Sequence, residues 1–414
     1  MTTVPAKIDI AIIGAGPHAL TLITHLLQKR QKIRDKLLVF DPSGEWMSRW
    51  QHQFVALQIP HLRSPAVHHP DPNPFALRKF AESRPDELFP PYDLPGTKLF
   101  EDFCQDVICR WHLHKHVIPL GVRRIEPLSH CLPPRFRLWL QDGSAIIARR
   151  VVLATGSAQL QIPDWTNLIQ STYPQDRLCH SQTVDLRGLQ LGGERVLIVG
   201  GGLTSGHLAL GALSHGAKVH LMMRRQLQEK LFDAEPGWLG PKYLKAFFAE
   251  LDWEKRVSII QQARNGGSMT PAIAMQLRRQ KRTNHLKIDE NCQVLQAEWL
   301  GKNWLVKCSN GSNYEYERIW LSTGSKFDVM SEPLLTEILD AYSIPIVKGF
   351  PVLDTCLRLP GYELFIMGGL AALQVGPTAR NLSGARMACE KIVPAIVKPS
   401  MALSLKTPVH TVSL

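Results

Sequence analysis

Residues Ile8–Ala19 read IDIAIIGAGPHA. A run of β-branched and apolar residues enters Gly14-Ala15-Gly16-Pro17-His18-Ala19, and Leu20–Lys29 continues with helical character. The pattern predicts a buried strand, a glycine turn and a helix. Glycines at 14 and 16 let the backbone turn tightly and approach a pyrophosphate. The helix N-terminus then offers N–H groups and the positive end of its dipole. Ala19 takes the third small position that the G-x-G-x-x-G/A pattern allows. A second strand, Lys36–Phe40, ends on Asp41, roughly 20 residues on, where an acid holds a ribose hydroxyl. Strand, turn, helix, strand and acid together describe a dinucleotide-binding unit. The plainer alternative is a glycine turn that only tightens a strand–helix junction.

A second such unit lies at Arg195–Ser205, RVLIVGGGLTS. Val196–Val199 reads as a strand, Gly200–Ser205 as the turn and Gly206–Ser214 as a helix. The next strand, Ala217–Met222, runs not into an acid but into Arg224-Arg225. An acid binds a ribose diol, whereas a basic pair attracts a 2′-phosphate. The first unit therefore reads as built for FAD or NAD and the second for NADPH. A solvated strand end is the plainer reading of Arg224-Arg225.

Around these units, residues 42–75 are rich in Pro, His and Trp, which excludes a long helix or a central strand. The segment is too apolar for a free linker and reads as a structured loop over a site. Trp46 and Trp50 either stack on a ring or fill core; His61, His68 and His69 line a pocket or lie on the surface, and no spacing suggests a metal site. Phe75–Ser83 reads as a helix, and so does Leu99–Trp111, with Thr97 as N-cap and Glu101-Asp102 in the first turn. Val117–Arg124, Arg135–Leu140 and Ile146–Leu153 read as strands, the last ending in Ala154-Thr155-Gly156. Residues 226–290 read as mostly helical and basic, broken at Gly266-Gly267. A hairpin, Val294–Trp299 with Trp304–Cys308, precedes RIWLSTG, which echoes VVLATG. Leu364–Gly369 reads as a strand, Leu370–Asn381 as a loop and Leu382–Val397 as a closing helix whose N-terminus would face a flavin ring or merely cap the domain.

Composition sets the outer bounds. The 414 residues are 44% hydrophobic and 20% charged, a globular balance with room for two domains or more. The start is too polar for a signal peptide, and no apolar run reaches bilayer length, so a cytoplasmic protein without a membrane span is expected. The eight cysteines contain no C-x-x-C pair, which argues against a disulfide framework, a zinc site or a redox dithiol. The net charge of +12 is spread over short clusters. Anionic cofactors and substrates explain it as well as nucleic acid does, and no specific nucleic-acid partner is expected.

The motifs GAGPHAL, VVLATG, GGGLTS, RIWLSTG and FIMGGL stand in the order found in two-dinucleotide-domain flavoproteins. The chain resembles the flavin monooxygenases that use FAD and NADPH, and most closely the N-hydroxylating lysine and ornithine branch. Trp46, Leu57-Gln58, Arg63 and Asp71-Pro72-Asn73-Pro74-Phe75 correspond to that branch's Trp, Met-Gln, Lys and D-P-x-x-P-F features. Arg63 in place of Lys and Met47 in place of the typical His are departures. His180-Ser181 resembles a His-Ser of the S- and N-oxygenating branch.

The resemblance implies an α/β protein with two Rossmann-like domains, the NADPH domain (161–324) inserted in the FAD domain (1–160 and 325–398), and a loose tail, 399–414. It implies that Gly14, Gly16, Pro17, Ala19, Asp41, Trp46, Gln58, Thr155, Gly156, Gly368 and Gly369 serve the FAD side. Gly200, Gly202, Thr204, Ser205, Arg224, Thr323 and Gly324 would serve the NADPH side. Gln58 and Trp46 would lie nearest the flavin, and Arg63 would meet a substrate carboxylate. No side chain is singled out as catalytic. The implied reaction is hydroxylation of an amine or another soft nucleophile, with oxygen as co-substrate, through a C4a-peroxyflavin. Two alternatives stay open: an NADPH oxidoreductase that passes electrons to a quinone or protein acceptor, and a flavin-binding regulator without turnover. The chain is compatible with a homo-oligomer.

Overall fold

The computed structural model describes residues 4–128, 134–156, 158–264 and 266–398. The strand Lys7–Ile13 lies inside the first sheet, and Ile10, Ala11 and Ile12 are wholly buried, as a strand covered on both faces requires. It pairs in parallel with Leu37–Phe40, Ile10 opposite Leu37, and with Ala145–Leu153, Ile10 opposite Arg150. Val117–Ile118 extends one edge, and the hairpin Val122–Leu128 with Arg135–Leu140 extends the other. The end of Ala145–Leu153 also takes Leu364–Ile366 in parallel, Val151 opposite Leu364. The chain thus returns to its first sheet, and the helix Leu382–Val397 packs on the helix Pro17–Lys29. Gly384 makes that closing possible, since a Cβ there would stand 2.1 Å from the Thr378 carbonyl oxygen.

Buried charge sews these strands together. Glu363 accepts from Arg150 Nε (2.8 Å) and Arg358 Nη1 (3.0 Å), and Arg150 reaches Asp9 Oδ2 (3.1 Å). Each guanidinium therefore has a carboxylate on two sides, which burial of a cation demands.

The second sheet is wholly parallel, in the order Leu178–His180, Arg318–Leu321, Arg195–Val199, Lys218–Met222, Leu286–Asp289. A three-stranded antiparallel meander, Val294–Trp299, Trp304–Cys308 and Asn313–Tyr316, stands beside it. The two crossings between the sheets pair with each other: Gln159–Leu160 runs antiparallel to Ser325–Lys326. The insert does not keep to itself, however. Leu244, Phe247, Val257 and Ile260, on helices Pro241–Ala249 and Trp253–Arg264, join the core of the first sheet.

Several expectations need correction. Residues 42–75 do contain a helix, Ser48–Ala56, because the stretch between Pro42 and Pro60 holds no proline and leaves nine residues free to coil. Thr97 is the first residue of its helix, not the cap. Gly96 caps it, the Thr97 hydroxyl donates to Ile59 O, and the first turn holds no acid. Val117–Arg124 is broken after Ile118 and resumes at Val122. Leu286–Asp289 and Asn313–Tyr316 are strands that the sequence reading passed over, and Ala372–Val375 is a short helix within the expected loop. The expected tail, 399–414, lies outside the described residues.

Burial also fixes an acid response. His18, His68, His69, His207 and His220 are each held down to about 4, chiefly because burial penalises the cation. Unfolded, each takes a proton near its ordinary 6.5, so between about 6.5 and 4 the unfolded chain binds more protons than the native one. Stability should therefore fall as pH drops through that window and lose this dependence below it. Urea midpoints at stepped pH check the expectation; a flat profile from 7 to 4 would contradict it.

Candidate functional site

The first turn is closed by its own backbone. Gly14 has φ +98°, and a Cβ there would sit 2.7 Å from Ala154 O. Its N–H donates to Phe40 O (2.8 Å), which fixes the turn across the strand ends. Asp41 Oδ2 accepts from Ala15 N (3.0 Å), and Oδ1 accepts from the Ser43 backbone and hydroxyl. The acid at the strand end therefore also shapes the turn. Gly16 N-caps Pro17–Lys29 without a side-chain cap, and a Cβ on Gly16 would meet nothing within 4 Å. The first N–H groups of that helix are thus free of side-chain acceptors, as anion binding requires. Ala19 is wholly buried and serves close packing.

The second turn repeats the plan. Gly200 has φ +143°, its N–H donates to Met222 O (2.9 Å), and a Cβ would fall 2.2 Å from Ser322 O. Around Gly202 there is open space. Ser205 departs from expectation: it is wholly buried, and its hydroxyl accepts from Gly202 N (3.1 Å). It caps the helix Leu203–Ser214 and faces no ligand, because position N3 of a helix turns its side chain back onto the cap.

One cavity of about 1700 Å³ runs from the second turn to the start of the helix that follows the first. Gly200–Thr204, Thr323 and Gly324 line one end, and Pro17, His18 and Asn381–Ser383 line another. Ser322 Oγ is buried on its wall and has no partner. His18 Nε2 lies 3.3 Å from Arg380 O, which can only accept; Nε2 therefore carries the proton and Nδ1 is left as a buried acceptor without a partner. Arg224 is exposed on the wall, and Arg225 donates to Gly266 O (3.1 Å). Ser181 lines the cavity, while His180 is buried behind it against Gly324 O (3.3 Å). Thr155 and Gly156 lie apart from the main cavity, in a small recess shared with Gly369; Gly368 reaches φ +81° as the N-cap of the turn that follows.

The two residues expected nearest the flavin, Trp46 and Gln58, do not line the cavity. Trp46 is buried in the first core and donates Nε1 to Leu113 O (3.0 Å). Met47, at φ +64° with its N–H on Ala15 O (2.8 Å), turns the chain so that Trp46 points inward. Gln58 follows the end of the helix at φ +51° and is exposed, with Oε1 3.4 Å from His215 Nε2. The residues that do reach the cavity from this segment are Trp50, Gln53 and Phe54, one face of Ser48–Ala56 at i, i+3, i+4 spacing, with Trp50 and Phe54 stacked at 4.1 Å. That spacing was the available signal. His68 also lines the cavity, hydrogen-bonded to Ser64 Oγ (3.0 Å), whereas His69 is buried and His61 lies against Phe89.

Arg63 reaches the cavity but is engaged by protein. Its nitrogens donate to Leu231 O (3.0 Å), Lys230 O (2.6 Å), Ser268 O (3.3 Å) and Ser268 Oγ (2.8 Å). It is a strut between the proline-rich loop and the insert, not an open carboxylate receptor. Asp71 of the D-P-N-P-F segment is likewise structural, buried on Arg110 Nη1 (2.9 Å) and Asn73 N (2.9 Å).

A family model described as FAD-NAD(P)-binding matches residues 11–158, and one described as pyridine nucleotide-disulphide oxidoreductase matches 134–334. The ornithine hydroxylase of Pseudomonas aeruginosa superposes with a TM-score of 0.75 at 17% identity, over 94% of this chain and 98% of its own. The chain shares its fold with that hydroxylase. An ornithine N-hydroxylase from a Kutzneria species, solved with reduced FAD, NADP+ and L-ornithine, gives 0.75 at 16%, over 94% and 99%. The desferrioxamine-pathway cadaverine monooxygenase of Erwinia amylovora, solved with FAD, gives 0.75 at 13%, over 99% and 100%. No curated protein sequence matches the chain. No helix among the described residues is long and apolar enough to cross a membrane.

Proposed function

We propose that the chain binds FAD at the first turn and NADPH at the second and hydroxylates the nitrogen of a small amine with oxygen. The observation that carries this reading is one cavity that runs from the second turn to the start of the helix after the first, Pro17 and His18, which lets the two dinucleotides meet. The domain division follows: 1–160 with 325–398 around FAD, and 161–324 around NADPH. The residues fit both groups, because Gly14 and Gly200 exclude a Cβ against the backbone of Ala154 and Ser322, while Gly16 and Gly202 leave open space. When bound, FAD takes hydride from NADPH and activates oxygen.

The chain's own part is binding and shielding. Gly14 and Gly16 with the free end of Pro17–Lys29 receive one pyrophosphate, and Gly200 and Gly202 the other. Trp50, Phe54 and Phe350 give the cavity apolar walls that keep water from the reacting atoms. Similar folds occur in other chemistries, such as the bacillithiol disulfide reductase of Bacillus cereus (TM-score 0.57). Hydroxylamine formed per NADPH consumed therefore tests the reading. A ratio near one with an amine supports it; NADPH turned wholly into peroxide, or into reduced dye, sinks it.

Arg224 stands where a 2′-phosphate would meet the strand end, free on the cavity wall. Arg224→Ala should weaken NADPH roughly tenfold or more and leave NADH nearly unchanged, as loss of a charge-assisted contact implies. Flavin reduction rates against each nucleotide read this out, and an equal loss for both would remove Arg224 from that role.

A further inference from the structure

Between the two turns, three guanidiniums share one carboxylate. Asp233, on the loop after Lys218–Met222, is held by Arg264 Nη2, with Arg380 Nη2 at 3.6 Å and Arg63 Nη1 at 3.9 Å. All four side chains line the cavity. They come from distant parts of the chain: Arg63 from the proline-rich loop, Arg264 from the end of Trp253–Arg264, and Arg380 from just before Leu382–Val397. Three positive charges against one negative leave a surplus of two beside an open space.

The three arginines are not equivalent. Arg63 has its donors on protein oxygens, as described above. Arg264 is bound to Asp233 and to Pro377 O (2.8 Å), and burial followed by the repulsion of Arg380 lowers it to about 10. Arg380 differs: its side chain is 42% exposed, and among the described residues its guanidinium makes only the long Asp233 contact. It is a cation with donors facing the cavity, steadied from behind by a carboxylate, and its own carbonyl is fixed by His18.

We propose that Arg380, backed by Arg264, reads an acid group on the substrate, and that the substrate is therefore an amino acid rather than a simple diamine. This rests on the amine-hydroxylating reading above. The planar fork of a guanidinium matches a carboxylate in two-pronged fashion, and the surplus charge makes an anion welcome there. The specificity residue is thus not Arg63, which the resemblance put forward, but Arg380 on the same carboxylate. A phosphate of NADPH would satisfy the same chemistry, so the test separates the two sources.

L-Ornithine and putrescine differ only by a carboxylate, as do L-lysine and cadaverine. With FAD-loaded holoenzyme and saturating NADPH, hydroxylamine formation should show KM about tenfold to a hundredfold lower for an amino acid than for its decarboxylated partner, the value of a charge-assisted contact. Arg380→Ala should erase that ratio by raising KM for the amino acid, with kcat and the KM for the diamine little changed. Arg380→Lys, a point charge without the fork, should restore part of it. A wild-type preference for the diamines, or an Arg380→Ala ratio equal to wild type, overturns the inference and leaves the monooxygenase reading standing. A rise in the dissociation constant of NADP+ in Arg380→Ala, with the amine ratio intact, assigns the anion to the cofactor and also overturns it. If neither member of either pair is hydroxylated while NADPH is consumed, the monooxygenase reading fails and takes this inference with it.

Discussion

Gly200→Ala should give a protein that keeps FAD and bleaches with dithionite, yet is reduced by NADPH at least about 100-fold more slowly than wild type, the scale of a misplaced reactant. The added Cβ would lie 2.2 Å from Ser322 O and 2.8 Å from Ser322 C, both backbone atoms, at φ +143°. Neither can yield without moving the strand Arg195–Val199 away from Arg318–Leu321, whose register places Val199 opposite Leu321. Strain of this kind costs about 1–3 kcal/mol for the dihedral and a similar amount for the overlap. Gly202→Ala is the informative companion, since its Cβ meets no protein atom within 4 Å and its φ is −93°. The protein should tolerate it, so any loss of NADPH binding there reports on the room a ligand needs. Anaerobic stopped-flow bleaching measures both variants. Wild-type reduction of Gly200→Ala would remove the second turn from the nucleotide site.

Glu363→Ala should lower stability by about 3 kcal/mol, seen as an earlier urea midpoint with loss of the first sheet. Removing one partner of a buried ion pair costs about 3–5 kcal/mol, since a desolvated charge stays behind. The low end applies because Arg150 retains Asp9 and Arg358 retains Asp354. Glu363 is 4% exposed, so water replaces it poorly. Because the same residue precedes Leu364–Ile366, the strand that returns to the first sheet should detach first. A midpoint within experimental error of wild type would show that the network is dispensable.

The parts of the fold legible in the sequence were those set by local rules. Both glycine turns, the strands before them and the helix Leu382–Val397 follow from apolar runs and turn chemistry that nothing distant overrides. Leu286–Asp289 escaped because its neighbours are basic and helical, and only pairing with Lys218–Met222 makes it a strand. Trp46 and Gln58 lie off the cavity for a related reason. Their positions turn on two left-handed residues, Met47 and Gln58 itself, and nothing in those residue types calls for that backbone. The Arg63–Asp233–Arg264–Arg380 cluster was wholly out of reach, since its members are up to 317 residues apart (63 to 380) and meet only through the fold.

The paired crossings, Gln159–Leu160 against Ser325–Lys326, carry a consequence for how the protein moves. Two separate linkers would let the second sheet twist, slide and swing independently. A hydrogen-bonded ribbon bends as one piece, so the permitted motion is a rocking about a single axle. That axle forms part of the cavity itself, since all four of its residues line it. The Gly324 carbonyl extends it, accepting Gln161 N (3.0 Å) one step beyond the ribbon. The Asp233 cluster ties Arg63 and Arg380 to Asp233 and Arg264 across the same cavity, so its charges bear directly on that rocking.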